Sequence, residues 1–132
     1  MALPNGTGGY QLGDGNLNEA ILGTQTAPAA YTAAAAPLAV SDLVSSDIVT
    51  YNSGSGANLQ LPTVANLELS VSSAKVNSAF DFYVIALGAG TATLTTNTGW
   101  TLVGSMAVAT TVSGHFRARK TGDGAWTLYR VS

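Results

Sequence analysis

Few residues in this chain have the chemistry to act on a substrate, and most stand together at one end. The stretch HFRARKTGDGAWTLYRVS carries the single histidine, His115, and four of the five cations: Arg117, Arg119, Lys120 and Arg130. Phe116, Trp126 and Tyr129 are interleaved with them, and the remaining cation, Lys75, lies far upstream. A lone histidine with no Ser–His–Asp or Cys–His order around it supplies no activated nucleophile, and no second histidine stands at ligand spacing. It reads as a strand histidine at the surface. Asp81 sits between Phe80 and Phe82 with no second acid nearby to complete a glycosidase pair. Such a carboxylate is expected to face outward or to bond a neighbouring backbone. LGDGN, with Asp14 and Asn16, lacks the further oxygen ligands and closing Glu of a calcium loop and reads as a turn. GAGTAT at 88–93 leads into a strand rather than a helix N-terminus, so it is no phosphate cradle. NGT at 5–7 is a glycosylation sequon, which matters only on a secretory route. No catalytic, cofactor or metal site is expected, and the chain reads as a non-enzyme.

Composition points the same way. Charged residues make up 9% of the 132 residues, against about 25% in ordinary globular chains, so Thr, Ser, Asn and Gly must supply the polar surface. A surface this thin in charge suits a protein whose surface is largely covered by partners. The net charge of −2 excludes a generally basic, nucleic-acid-coating protein. Cysteine is absent, which removes disulfides, thiol nucleophiles and Cys-based zinc sites. The longest apolar runs, such as Phe80 to Leu87, are too short for a membrane helix, and no N-terminal segment reads as a signal peptide. A soluble protein without nucleic-acid or membrane partners is expected.

The elements that must position these residues read mostly as strands. Residues 1–23 have glycine at 6, 8, 9, 13, 15 and 23, too dense for a helix or central strand. They are expected to form an extended arm packed on another chain, ahead of a single domain over 24–132. An edge strand is expected around Tyr31. VSDLVSSD suits one helical turn capped by Ser41. DIVTYN and ANLQL alternate as strands, the second with Leu59 and Leu61 inward. PTVANLELSVSSAKV suits a helix capped by Thr63, with Val64, Leu67 and Val71 at helical spacing. Its rival is a strand through NLELSV. AFDFYVIAL and TATLTT are strands. NTG makes a turn at Gly99, after which WTLVGSMAVATT returns, broken at Gly104. GHFRARK and AWTLYRV form a closing hairpin. Short strands at this spacing predict an all-β, antiparallel β-sandwich or jelly-roll-like domain with at most one or two short helices.

The closing hairpin allows two registers. A turn on Asp123 and Gly124 sets Arg117 against Arg130, which opposes like charges. A turn centred on Gly122 and Asp123 pairs Phe116 with Tyr129, Ala118 with Thr127 and Arg119 with Trp126. The second avoids the repulsion. It gathers His115, Arg117, Arg119, Trp126, Leu128 and Arg130 on one face, which mixes cations with apolar area as contact surfaces do. The alternative puts Trp126 and Leu128 in the core with the arginines curling outward from the edge.

GDGNLNEAILG, GTATLTTNTGWTLVGSM and GHFRARKTGDGAWTLYRV, about a third of the chain, resemble stretches of small structural proteins of tailed bacteriophages. The whole resembles a capsid decoration, or cement, protein. That resemblance implies a β-sandwich or jelly-roll body and an N-terminal arm touching the shell. It also implies a location on the outer capsid surface of the virion, after synthesis in the host cytoplasm. The implied partners are the major capsid protein and further copies of the chain, a homotrimer ahead of a homodimer. The expected protein-contact residues are Arg117, Arg119, Trp126 and Arg130, with Asp14, Asn16 and Leu17 from the arm. The same Thr/Gly-rich style occurs in head-fibre and tail-fibre tips. The second reading is therefore such a tip, or a module binding a carbohydrate or host receptor, with Trp100, Trp126 and the tyrosines as stacking platforms.

Overall fold

A computed structural model describes residues 23–132. The arm expected over 1–23 lies outside them except for Gly23, and so do Asp14, Asn16 and Leu17. The described chain is mostly strand, with two short helices, as the alternation predicts.

Strand β1 (Ala29–Tyr31) is followed by helix α1 (Val40–Val44) and strand β2 (Ile48–Tyr51). The helix begins two residues earlier than a Ser41 cap would set it. Ala39, not Ser41, is the cap residue, and the Asp42 carboxylate accepts its N–H at 3.0 Å. Asp42 also accepts the Tyr31 hydroxyl, which ties α1 to β1. Strand β3 (Ala57–Gln60) leads into helix α2 (Val64–Ser70). Thr63 Oγ1 accepts the Asn66 N–H at 3.3 Å, and Val64 and Leu67 are buried, so the helical reading of this stretch holds over its strand rival. Then follow β4 (Ala79–Ala86), β5 (Ala92–Thr95), β6 (Trp100–Val103), β7 (Ala107–Val108), β8 (Ser113–Gly122) and β9 (Ala125–Arg130).

The strands form a six-stranded sheet, β1-β2-β4-β8-β9-β6, and a three-stranded sheet, β3-β5-β7. Both are mixed, which corrects the antiparallel expectation. The pairs β1–β2, β2–β4, β3–β5 and β6–β9 are parallel; β4–β8, β5–β7 and β8–β9 are antiparallel. Parallel neighbours need a crossover. Helix α1 supplies it between β1 and β2, and β3 with α2 supplies it between β2 and β4.

The predicted return of WTLVGSMAVATT alongside β5 is made by β7 and is corrected for β6. The chain changes sheets at this turn, and among the described residues β6 pairs with β9 alone. Gly99 permits the change with φ of +96°, while Asn97 Nδ2 donates to the Leu61 carbonyl at 3.0 Å. Trp100 is then buried, its indole N–H bonded to the Pro62 carbonyl at 2.7 Å. One core fills the space shared by both sheets and both helices. Val49, Tyr51, Phe82, Val84, Phe116, Ala118, Trp126 and Leu128 enter it from the larger sheet, and Leu59, Leu94 and Val108 from the smaller.

The closing hairpin takes neither simple register. Its turn is Asp123–Gly124, but a bulge between Lys120 and Gly122 shifts the pairing by one residue. Arg117 therefore faces Tyr129, Phe116 faces Arg130, and Lys120 faces Trp126. Like charges are kept apart by the bulge rather than by moving the turn.

Candidate functional site

The bulge decides which side of the sheet each cation occupies. Phe116, Ala118 and Lys120 point inward with Trp126, Leu128 and Arg130, whereas His115, Arg117, Arg119, Thr127 and Tyr129 point outward. The single contact face expected from the sequence is thus divided, and three of its members, Trp126, Leu128 and Arg130, lie on the inner side. Trp126 is 1% exposed and belongs to the core; Leu128 is fully buried beside it. Arg130 lies across the inner end of the sheet, its guanidinium carbon 5.3 Å from the Phe116 ring centroid. It donates to the carbonyls of Ser105 at 3.1 Å, Ala107 at 2.9 Å and Ser132 at 2.6 Å. Arg130 therefore links the end of β9 to β7 of the other sheet. Lys120 is a second brace. Its ammonium meets Glu68 of α2 at 3.1 Å and the Ala74 carbonyl at 3.2 Å, and the Trp126 indole donates to the same carboxylate at 3.2 Å. The Lys120 bond, then the Trp126 bond, holds the Glu68 carboxyl below its usual pKa.

The outward residues make the candidate site. Pairing of β4 with β8 sets Asp81 opposite Arg117 and Tyr83 opposite His115. Arg117 grips Asp81 with two hydrogen bonds, Nε to Oδ1 at 2.6 Å and NH2 to Oδ2 at 3.0 Å. His115 Nε2 lies 2.9 Å from the same Oδ2. Arg117 first, then His115, lowers the Asp81 carboxyl to about 2 despite partial burial. Tyr83 stacks on the imidazole with ring centroids 4.5 Å apart.

Arg119, one pair along, is held differently. Its Nε and NH2 donate to the Tyr129 hydroxyl at 3.2 and 2.8 Å, and NH1 donates to Asn77 Oδ1 at 2.8 Å. Among the described residues no carboxylate pairs with it. Tyr83, Val103 and Val131 flank this polar row on the same outward side and are 41%, 46% and 54% exposed.

The structure thus joins Arg117 to Arg119 on one face and separates both from Trp126 and Arg130. Tyr83, Asn77 and Tyr129 are the members that sequence reasoning missed; it expected His115 on this face and Asp81 facing outward, but not their pairing with each other and with Arg117. Alternation gives the outward side of β4 and of β8 separately. Only the β4–β8 pairing, which joins residues more than thirty apart, brings Asp81 to Arg117. A carboxylate-held imidazole is half of a nucleophilic triad. Among the described residues, however, no hydroxyl side chain bonds His115. Two open hollows, of about 280 and 320 Å³, are lined by Thr24, Thr26 and Ser45 and by Ser73, Ser78 and Phe80, without a titratable side chain. No cluster of three or more metal-ligating side chains occurs among the described residues. The arrangement is a row of paired polar side chains on one sheet face, flanked by half-exposed apolar ones. No protein-family model matches the chain, and neither does any curated protein or solved structure compared with it.

Proposed function

We propose that this chain is a virion structural protein that binds the outside of a phage capsid and stabilises it through non-covalent contacts, as a decoration or cement protein. The observation that carries the reading is the outer face of the six-stranded sheet. On a chain with 9% charged residues, that face concentrates two arginines, an ion-paired aspartate, two tyrosines and half-exposed valines. Aromatic and arginine enrichment with interspersed apolar area is the composition of protein interfaces. The resemblance of three stretches to phage structural proteins supplies the particle, and the two-sheet body sharing one core is compatible with the sandwich that resemblance implies. The proposal includes self-association, a homotrimer ahead of a homodimer, because symmetric closure covers charge-poor surface.

On the described body the contact set is revised to Arg117 and Arg119 with Tyr83 and Tyr129, and Asp14, Asn16 and Leu17 remain part of the proposal. The carbohydrate-module reading loses its main platforms, since Trp100 and Trp126 are buried. The test is co-sedimentation of the purified protein with shells that lack it. Saturable binding, with raised resistance of the shells to heat, supports the proposal. Absence of binding at micromolar protein in low salt refutes it.

A further inference from the structure

We infer that Arg119, rather than Arg117, is the anchor of this face, and that it receives a side-chain carboxylate from a protein partner. The two arginines stand two residues apart on the outward side of β8 but differ in what they have left to give. Arg117 is already matched to Asp81 by two hydrogen bonds, at 2.6 and 3.0 Å. Its charge is compensated within the chain. Arg119 is fixed by neutral partners only, the Tyr129 hydroxyl and the Asn77 side-chain carbonyl. Those bonds use three of a guanidinium's five N–H donors and leave its full positive charge uncompensated among the described residues.

The guanidinium is therefore oriented in advance and loses little side-chain freedom on binding. Its β4 side is open, since Ala79 opposite it is exposed, whereas Thr127 opposite it on β9 is short and buried. With Arg117, Arg119 and Asp81, the outward face carries a formal charge of +1 on a chain of net −2. Charge complementarity accordingly selects an acidic partner surface, with Arg119 as the fork. This deepens the particle-binding reading and takes its partner from that reading, but the chemistry of the site can be measured apart from it.

The experiment is an NMR titration of the full-length protein with deca-glutamate, following the arginine Nε–H signals, with deca-glutamine as control. Binding of the glutamate peptide should shift Arg119 and Tyr129 first. Arg119→Gln should weaken it about tenfold, as expected for loss of a charge-assisted hydrogen bond. Arg119→Lys should not restore it, because a lysine cannot copy the fork. Asp81→Asn should tighten binding several-fold by releasing Arg117, a gain that misfolding does not produce. Equal binding by Arg119→Gln, or no gain in Asp81→Asn, overturns the inference. So does tighter binding of polyphosphate than of deca-glutamate. A shift of Arg119 in the peptide-free Asp14→Asn/Glu19→Gln variant also overturns it, since the occupant is then this chain's own segment. Shells that bind wild type and Arg119→Gln alike overturn the inference and leave the particle reading standing. Shells that do not bind at all, with the glutamate response intact, support the inference and defeat the particle reading.

Discussion

Asp81 shows how one carboxylate serves both stability and surface pattern. Its folded pKa of about 2 lies below the roughly 3.9 of an unfolded aspartate. A depressed carboxylate pKa contributes stability that is complete above the unfolded value and is lost as pH falls toward the folded one. Asp81→Asn should therefore lower stability at pH 7, by no more than about 1 kcal/mol because Arg117 is largely solvated. The gap between wild type and variant should close between about pH 4 and pH 2. Denaturant melts across that range measure it. A gap constant with pH would mean that the carboxylate's charge contributes nothing. Trp126 belongs to the opposite side of the sheet and to a different magnitude. Trp126→Ala should cost about 3–5 kcal/mol through the cavity it leaves. Trp126→Phe should cost far less, losing the Glu68 bond while keeping most of the packing. If Trp126→Ala kept full stability, the residue would have to be a surface contact after all.

At the scale of elements, the turn between β5 and β6 governs the fold more than its length suggests. A Cβ added at Gly99 would lie 2.6 Å from the Val64 Cβ and 2.7 Å from the Gly124 carbonyl oxygen, and φ there is +96°. Gly99→Ala should destabilise by about 1–3 kcal/mol, from overpacking combined with backbone strain. Gly122→Ala, which meets nothing within 4 Å, should stay within about 0.5 kcal/mol of wild type. Equal midpoints for the two variants in denaturant would contradict the sheet change at Gly99.

The same turn shows what the sequence could reveal. Gly99 is legible as a turn, Thr63 as a cap, and Leu59 and Leu61 as inward residues, because these depend on neighbours along the chain. The partner of β6 is not legible. Alternation is the same whether a strand pairs with its neighbour or, as here, with β9 in parallel. The bulge near Thr121 was hidden for a related reason. A single extra residue moves every later side chain to the other face, and charge repulsion alone does not say whether the turn or the strand absorbs it. That is why the arginine cluster was legible as a contact candidate while the place of Trp126 and Leu128 stayed open between the contact face and the core, where the structure puts both.

At the scale of the whole molecule, the four cations of the closing hairpin have two functions set by strand periodicity. Lys120 and Arg130 brace the body from the inner face, and Arg117 and Arg119 pattern the outer one. Binding through the outer face should weaken as salt rises from 50 to 500 mM, because exposed charges more than a Debye length apart are screened. Association between copies should survive the same change if apolar area dominates it. Light scattering in both salts measures the second. A clean monomer at micromolar concentration, in solution and on the particle, would defeat the oligomer.

The most direct test is an electron cryomicroscopy map of shells incubated with the protein. Added density is expected on the outside of the shell, with the outward face of the β4, β8 and β9 strands turned onto capsid protein and Arg119 beside an acidic side chain. Shells without added density, or density in which that sheet face looks into solvent, would contradict it.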